Sequence, residues 1–371
     1  MLLMSLVSLS LARRLQFGLS PLRYLCSHGW LREADADLFL RLMHPLLAVQ
    51  RVRALVESRR WVAEDMLAVT LFCNSNARGW RPGQHVQLFL ELDGVRHVRC
   101  YSLVRADADG RIELAIKREP GGRLSPLLQD RLQPGDVLEL AAARGELLWP
   151  QGHEAVLLLA AGSGITPLLG LLREALKHGF SAPVTLLYQV RRRAQWAYVE
   201  ELLALAARHR NLQLHWAVTG EPAWEGEYAG RLDEARLSSL PGTHLLACGP
   251  RGFVEPLDQW WRAAGRGGSV QVESFSPPPQ LPAEGAEVVR LAFARSRLQV
   301  PGSSALSLLE QAEASGLRPA HGCRQGVCTS CTCLLLAGSV RDLRSGAVFA
   351  EPGQPIRLCV SAPHGDVEID L

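Results

Sequence analysis

Four stretches with different hydrophobic patterns follow one another along the 371-residue chain. Residues 1–48 are dense in leucine and other helix-forming residues, with little β-branching, and this pattern predicts helices. Residues 49–150 contain short apolar or alternating segments separated by turns rich in glycine, proline and aspartate, which predicts an antiparallel β-barrel. These strand-like segments are 66–73, 84–92, 99–106, 111–119 and 136–143.

Residues 151–276 alternate between apolar strands and helical segments. The run AVLLLAA at 155–161 is continuously apolar, as in a parallel strand that is buried on both faces. The repeated alternation predicts a Rossmann-like parallel α/β domain of the kind that binds nucleotides. The proline-rich residues 277–285 predict a linker, and residues 286–371 form a last unit.

Composition narrows the class of protein. An apolar content of 47% and a charged content of 21% are those of a globular chain, and a net charge of +3 argues against a nucleic-acid partner. The first apolar run ends at Ala12, too early to span a bilayer, and Arg13 and Arg14 follow it, unlike a secretory signal. We expect a cytoplasmic protein whose N-terminal helices cap the next domain; a helix lying on the inner face of the membrane is the alternative.

Four of the nine cysteines have the spacing C-x4-C-x2-C…C, which is the plant-type [2Fe-2S] ferredoxin pattern. Glycines at 322 and 326 let the loop fold around a cluster and direct its N–H groups at the sulfurs. The alternative is a zinc site, although zinc sites prefer paired C-x2-C units. Cys333 is expected to pack as a small hydrophobic residue. The predicted metal ligands are Cys323, Cys328, Cys331 and Cys359.

The barrel segment carries the tetrapeptide Arg99-Cys100-Tyr101-Ser102, an R-x-Y-S pattern on a predicted strand. Arginine can form a bidentate pair with a flavin phosphate, tyrosine offers a flat face to the ring system, and serine can hydrogen-bond the flavin N5. We therefore expect these four residues to contact a flavin, although an exposed strand often carries arginine and tyrosine without any ligand.

A second candidate flavin segment follows at 116–125, where Gly121-Gly122 precedes a helix start. Such a turn exposes backbone N–H groups and suits a pyrophosphate. Lys117 and Ser125 are expected to anchor the same cofactor. A plain β-turn is the alternative for this stretch.

The α/β domain has two candidate nicotinamide segments. The first follows the buried strand and departs from G-x-G-x-x-G because Pro167 stands at the third glycine position. Cys248-Gly249 follows a later strand, and the sulfur either touches the nicotinamide or is a buried structural thiol. The residues of the first segment expected to contact the nucleotide are Gly162, Gly164 and Thr166.

Three consecutive arginines, Arg191, Arg192 and Arg193, come just after the second strand of this domain. The ribose 2′ position of a bound dinucleotide should lie there, where an arginine pairs with a 2′-phosphate and an acidic residue would accept a 2′-hydroxyl. The run favours NADPH over NADH, with Arg191 and Arg192 as ligands. A solvated arginine run is the alternative.

In this order, the motifs from about residue 50 to 275 resemble the ferredoxin–NADP reductase superfamily. The match closes at Glu273-Ser274-Phe275, where that family places an acidic residue and an aromatic near the flavin. Residues 286–371 resemble β-grasp plant-type ferredoxins. The whole chain is similar to fused reductases of bacterial oxygenases and desaturases, and its N-terminal extension and barrel resemble the NADPH reductases of membrane acyl-CoA desaturases.

This resemblance implies electron transfer from NADPH through FAD and a [2Fe-2S] cluster to a membrane-bound fatty acyl desaturase. It places Ser102 and Cys248 at the hydride step and Phe275 beside the flavin. We expect a monomer, with FMN as the alternative flavin. The alternative partners are a soluble hydroxylase or ring dioxygenase. A function of another class is a redox-sensing module, which would show negligible turnover with an artificial acceptor.

Overall fold

The computed structural model describes residues 7–92, 95–276, 286–326 and 329–371. The chain divides into two compact units, residues 1–275 and 276–371, which are described separately below. Within the described residues, no helix combines the length and apolar character needed to cross a membrane.

From residue 7 onward, the described part of the first unit starts with a layer of three helices, as the leucine-rich pattern predicted. Buried polar side chains tie this layer to the segment that enters the barrel: Gln16 Nε2 donates to the Ala48 carbonyl at 2.9 Å, and Asp37 accepts from the Val49 N–H at 2.8 Å. These bonds satisfy backbone groups that would otherwise be buried without partners. The helices are α1 (Leu9–Phe17), α2 (Ser20–Ser27) and α3 (Glu33–Met43).

Six antiparallel strands close a barrel in the order β1-β2-β5-β4-β3-β6. Leu71, Leu88 and Leu103 are fully buried in it. The five predicted strand segments are all present, whereas β1 was not predicted because consecutive charged residues interrupt its alternation. A short helix, α4 (Leu124–Arg131), follows the fifth strand. The strands are β1 (Val52–Ala63), β2 (Met66–Cys73), β3 (His85–Leu92), β4 (Val95–Ala106), β5 (Arg111–Lys117) and β6 (Val137–Leu140).

The parallel sheet of the first unit has the order β10-β9-β8-β7-β11-β12, and all its strand pairs are parallel. The predicted Rossmann-like arrangement is confirmed; the two short edge strands, β10 and β12, lay outside the predicted segments. The strands are β7 (Val156–Ala161), β8 (Val184–Val190), β9 (Leu212–Val218), β10 (Glu227–Ala229), β11 (His244–Gly249) and β12 (Val270–Ser274), and the helices are α5 (Ile165–Lys177), α6 (Val199–Arg208), α7 (Glu234–Ser239) and α8 (Arg251–Ala263).

A buried ionic network joins the barrel to the parallel domain. Glu113 on β5 is 4% exposed, accepts a hydrogen bond from Tyr198 Oη at 2.9 Å, and lies 3.4 Å from Arg173 Nη1 on α5. Arg173 also pairs with Glu201 at 2.6 Å. A buried carboxylate is tolerated only when it is paired and hydrogen-bonded in this way. The network therefore fixes the strand that ends in Lys117 against the helix that begins after Gly164.

In the part of the second unit that the structure describes, a mixed sheet has one helix, α9 (Leu308–Ala314), packed on it. The sheet order is β14-β13-β18-β15-β16, with β17 paired to β15. The pair β13–β18 is parallel and the others are antiparallel, so the β-grasp expectation is confirmed. The strands are β13 (Val288–Phe293), β14 (Leu298–Ser303), β15 (Thr332–Asp342), β16 (Val348–Phe349), β17 (Pro355–Arg357) and β18 (Ser361–Ile369).

Candidate functional site

The predicted flavin strand is the middle of β4. Arg99 is exposed and Tyr101 is half-buried, and burial raises the pKa of the tyrosine phenol above its usual value. Cys100 lies between them and is half-buried, while Ser102 is buried, at 6% exposed. The strand thus offers a cation and an aromatic face near the surface and a hydroxyl at depth, as a flavin with a phosphate tail requires.

The predicted pyrophosphate turn follows β5. Gly121 has a positive φ of 73°, and a Cβ there would meet nothing within 4 Å. At Gly122 a Cβ would lie 3.0 Å from the Glu119 carbonyl oxygen. Ser125 Oγ accepts a hydrogen bond from the Glu119 N–H at 3.0 Å. The serine therefore stabilises the turn by bonding its first residues to the start of the next helix. The open space beside Gly121 lets a ligand approach the backbone.

Gly162 and Gly164 form a short 3₁₀ turn between β7 and α5. A Cβ at position 164 would lie 1.9 Å from the Cys248 carbonyl oxygen. Thr166 is buried and donates through Oγ1 to the Ser163 carbonyl at 2.9 Å. Glycine at 164 is therefore required for the end of β11 to approach this turn, which brings the two predicted nicotinamide segments together.

The predicted flavin and nicotinamide segments also meet. A Cβ at Gly162 would lie 3.2 Å from Lys117 Nζ, and Lys117 Nζ is itself 3.7 Å from Asp65 Oδ2. Tyr188 Oη donates to the Gly162 carbonyl at 3.0 Å. Lys117 thus lies between the barrel and the glycine turn, a position that its place in the sequence did not reveal.

Ser102 and Cys248 lie at the same end of the first unit. Ser102 is paired in register with His85 on β3, His85 Nδ1 lies 3.8 Å from Glu273 Oε1, and Glu273 is paired in register with Cys248. Burial raises the pKa of the Cys248 thiol well above its usual value. Since the thiolate is the nucleophilic form, Cys248 suits contact with a ring and does not suit covalent chemistry.

Two polar residues meet here: Glu273 is the acidic residue at the end of the family resemblance, whereas His85 was not predicted as a site residue. His85 belongs to no motif, and its only signal is a polar residue at an inward position of a barrel strand, where its side chain is 8% exposed. Burial raises the pKa of Glu273 to about 7.

This shift predicts a pH-dependent stability difference. Because the pKa of folded Glu273 exceeds its unfolded value, the folded state binds the proton more tightly and loses relative stability as pH rises from about 4.5 to about 7. Glu273→Gln cannot ionise, so its free energy of unfolding should rise relative to that of the wild type over this interval, by at most roughly 3 kcal/mol since one pKa unit is about 1.4 kcal/mol. Its Tm should rise relative to the wild-type Tm in the same direction. Melting curves from pH 5 to 8 measure it.

Glu225→Gln, at an exposed glutamate of the same unit, is the matched control and should keep a constant Tm difference from the wild type. Parallel Tm-against-pH curves for Glu273→Gln and the wild type would contradict the buried, proton-binding state of Glu273.

The three consecutive arginines have different surroundings. Arg193 pairs with Glu221 at 2.8 Å and with Glu227 at 2.5 Å, so two carboxylates occupy its guanidinium. Arg192 forms an exposed pair with Glu64 of the barrel. Arg191 forms no ion pair with any described carboxylate. Among the three, Arg191 therefore offers the least compensated charge for a phosphate.

Gly249 is the last residue of β11 and Phe275 follows β12, at the same end of the parallel sheet. The Phe275 N–H donates to the Gly249 carbonyl at 3.1 Å, and the half-buried ring packs against the apolar cluster that contains Cys248. A Cβ at Gly249 would lie 2.8 Å from the Ala161 Cβ. Phe275 is therefore held by its backbone beside Cys248, one of the two predicted hydride-transfer residues.

The second unit brings three predicted metal ligands together. The thiols of Cys323, Cys331 and Cys359 lie close enough to affect one another's protonation: the Cys359 thiol lowers the pKa of Cys331, and the other two thiols raise the pKa of Cys359. The Gln325 N–H donates to Cys323 Sγ at 3.3 Å, a bond of the kind that tunes iron–sulfur clusters. The fourth predicted ligand, Cys328, lies outside the described residues.

The loop around these thiols also fits a cluster. Gly326 has a positive φ of 75°, and a Cβ there would lie 2.7 Å from Val360 Cγ1, so glycine is required for the loop to close over the core. Cys333 packs partly buried against that core, and burial raises the pKa of its thiol to about 12. A set of thiol donors on a loop with backbone N–H groups directed at sulfur is the environment that a [2Fe-2S] group requires.

Three family models match successive parts of the chain. Residues 53–149 match the model of the oxidoreductase FAD-binding domain, residues 158–259 match the oxidoreductase NAD-binding domain, and residues 293–364 match the 2Fe-2S iron-sulfur cluster binding domain. The chain therefore carries FAD-, nicotinamide- and [2Fe-2S]-binding domains in one polypeptide. The match of the C-terminal cysteines' domain to a [2Fe-2S] family argues against a zinc site there.

Two curated relatives extend over most of the chain. An NADPH oxidoreductase of Mycobacterium tuberculosis is 33% identical over 90% of this chain and 88% of its own length. The heme-dependent oxidative N-demethylase beta subunit of Ectopseudomonas mendocina is 34% identical over 87% and 97%.

Two solved structures share the fold. Phthalate dioxygenase reductase matches with a TM-score of 0.58 at 23% identity, over 86% of this chain and 98% of its own. A type IV self-sufficient cytochrome P450 monooxygenase matches with a TM-score of 0.65 at 21% identity, over 86% of this chain, which spans only 41% of that longer protein. The chain belongs to the family of NAD(P)H-dependent oxidoreductases in which a ferredoxin–NADP reductase module is followed by a C-terminal [2Fe-2S] ferredoxin domain.

Proposed function

We propose that this protein transfers electrons from NADPH through FAD and the [2Fe-2S] cluster to a membrane-bound fatty acyl desaturase. The observation that carries the electron-transfer part is the glycine turn of the first unit, where Lys117 lies against Gly162 and Cys248 lies against Gly164. In the second unit the thiols of Cys323, Cys331 and Cys359 lie together. When bound, the flavin accepts hydride and releases electrons singly, and the cluster carries one electron at a time.

Each site residue has a role in this proposal. Arg99, Lys117 and Ser125 hold the flavin phosphates and the turn around them, and Tyr101 covers the ring. Ser102 offers its buried hydroxyl to the flavin ring. The neutral thiol of Cys248 contacts the nicotinamide without reacting with it.

The choice of NADPH is supported by Arg191. We expect Arg191→Gln to raise the KM for NADPH by roughly tenfold, because a hydrogen bond to a charged group contributes about 1.5–3 kcal/mol, and to leave the KM for NADH unchanged. Arg208→Gln, at an exposed arginine of α6, is the matched control and should change neither constant. Equal increases for both nucleotides would show that Arg191 does not recognise a 2′-phosphate.

The N-terminal helical layer supports the proposal that the electron acceptor is a membrane-bound desaturase. The helices of this layer and the connection between α2 and α3 carry a set of exposed apolar side chains, here called the N-terminal apolar surface, and Trp30 is 73% exposed. The rings of Tyr24 and Trp30 lie edge to face at 6.3 Å, and Arg14 and Arg32 are exposed nearby in sequence. Aromatic and arginine side chains together suit a membrane interface with anionic lipids. The surface comprises Phe17, Tyr24, Trp30, Leu38, Phe39 and Leu42.

The membrane contact is tested by sedimentation with phosphatidylglycerol vesicles. The wild type should sediment with the vesicles and Trp30→Ser/Phe39→Ser should remain in solution, while Trp61→Ser, at an exposed tryptophan of the barrel, should behave as the wild type. Wild-type protein that stays in solution would remove the membrane contact from the proposal. Light scattering of the same samples tests the proposed monomer.

The second candidate acceptor is a soluble hydroxylase or ring dioxygenase. It is supported by relatives such as the glycine betaine monooxygenase reductase subunit of Pseudomonas aeruginosa, which is 28% identical over 78% of this chain. NADPH oxidation in native membranes, with and without a saturated acyl-CoA, separates the two. Acyl-CoA-dependent consumption with an unsaturated product supports the desaturase, and unchanged consumption favours the soluble partner. Negligible cytochrome c reduction would instead favour a redox sensor.

A further inference from the structure

We propose that Arg357 is a positioning and charge residue for the cluster, and that its uncompensated guanidinium raises the cluster's reduction potential. The proposal rests on the [2Fe-2S] assignment and concerns a residue outside the cysteine motif. Arg357 is the last residue of β17, is half-buried, and donates through Nη1 to the carbonyl of Gly326.

The position of Arg357 brings it close to most of the predicted ligand set. Gly326 lies in the loop that begins at Cys323. Arg357 is paired in register with Thr332, the neighbour of Cys331, and the next N–H in the chain, that of Leu358, donates to the Cys331 carbonyl at 3.1 Å. Cys359 follows one residue later. The backbone at Arg357 is therefore fixed beside Cys331, and the guanidinium contacts the cluster loop at the Gly326 carbonyl.

The other arginines at this loop differ in charge compensation. Arg344 also approaches the Gly326 carbonyl, with Nη1 at 3.4 Å, but its Nη2 pairs with Asp342 at 2.9 Å. Arg324 pairs with Glu313 at 2.5 Å. Arg357 has no carboxylate within 4 Å anywhere in the described part of the chain. Of the three described arginines Arg324, Arg344 and Arg357, Arg357 is the one whose positive charge no carboxylate pairs with.

The effect on the cluster follows from electrostatics. One electron passing from reduced flavin adds one negative charge to the cluster, and a nearby half-buried cation stabilises that charge more than an exposed cation would. Removing the charge should therefore favour the oxidised cluster and lower its reduction potential, which makes electron delivery from the flavin less favourable.

The test is an EPR-monitored redox titration of the holoprotein. Arg357→Gln keeps a hydrogen-bond donor and removes the charge; we expect the one-electron equilibrium to shift toward the oxidised cluster by about tenfold, which is 59 mV for a one-electron couple. Arg357→Lys should stay close to the wild type. Arg318→Gln, at an exposed arginine before the loop, should not shift. Equal shifts for Lys and Gln, or none for Gln, would overturn the proposal.

If Arg357→Gln fails to hold a cluster, a second variant tests whether charge at this loop changes the cluster's reduction potential. Asp342→Asn removes the carboxylate that compensates Arg344 and should raise the potential; an unchanged or lowered potential would refute the electrostatic argument. Iron content and the EPR signal of the wild type are measured separately. Their absence would refute the proposed cluster itself and not the role of Arg357 alone.

Discussion

Cys359→Ser should give a protein that still reduces its flavin with NADPH but reduces cytochrome c at least roughly 100-fold more slowly. Loss of a cluster ligand should cost more than the 10–100-fold that follows loss of an outer-sphere partner of a metal site, and the thiol of Cys359 lies close enough to Cys323 and Cys331 for each to affect its pKa. Stopped-flow absorbance follows flavin reduction, and iron content and the EPR signal follow the cluster. Cys328→Ser should behave in the same way.

Cys333→Ser is the matched control, because Cys333 lies in the same unit and packs against the same core but has no place in the C-x4-C-x2-C…C pattern. It should retain iron and cytochrome c reduction. If Cys359→Ser keeps its cluster, or if Cys333→Ser loses it, the ligand assignment is wrong. If Cys359→Ser slows flavin reduction equally, the separation of the two electron-transfer steps is wrong.

Gly164→Ala should damage both the stability of the first unit and its hydride step. The new Cβ would lie 1.9 Å from the Cys248 carbonyl oxygen and 2.7 Å from the Gly249 nitrogen, so the end of β11 must move. Overpacking of this kind costs roughly 1–3 kcal/mol or more, and a displacement of about 1 Å at a reacting group can cost 100-fold in rate. Melting curves and the rate of flavin reduction by NADPH measure the two effects.

Gly252→Ala is the control for this substitution. Gly252 lies in the first turn of α8, and a Cβ there would meet nothing within 4 Å, so alanine should be neutral or slightly stabilising. A Gly164→Ala protein with wild-type Tm and flavin reduction would show that the turn and β11 can separate without consequence.

The cysteine pattern and most strands could be predicted because their signals are local. Ligand spacing reflects one loop around one group, and the β2, β5 and β7 segments have apolar patterns that only a strand buries well. Strand β1 was missed because Arg59 and Arg60 interrupt its alternation. Strands β10 and β12 were missed because they are short and lie at the edges of the sheet, where neighbours determine the conformation more than the segment itself.

For the site residues, too, the sequence shows the residue type but not the partners that determine its charge. Arg191, Arg192 and Arg193 look equivalent in the sequence, but the charge left on each depends on Glu64, Glu221 and Glu227, which are distant along the chain. The same holds for His85 beside Glu273 and for Arg357 beside Gly326.

The amino-acid sequence by itself determined the order of the helical layer, barrel, parallel α/β domain and ferredoxin unit, and the donor chemistry of the cluster loop, because periodicity and ligand spacing act over a few residues. Only the tertiary structure decided which charges are cancelled, that Lys117 lies against Gly162, and that Gly164 must be glycine to admit the Cys248 carbonyl. Those properties depend on distances between segments far apart in the chain, and such distances are set when the core packs.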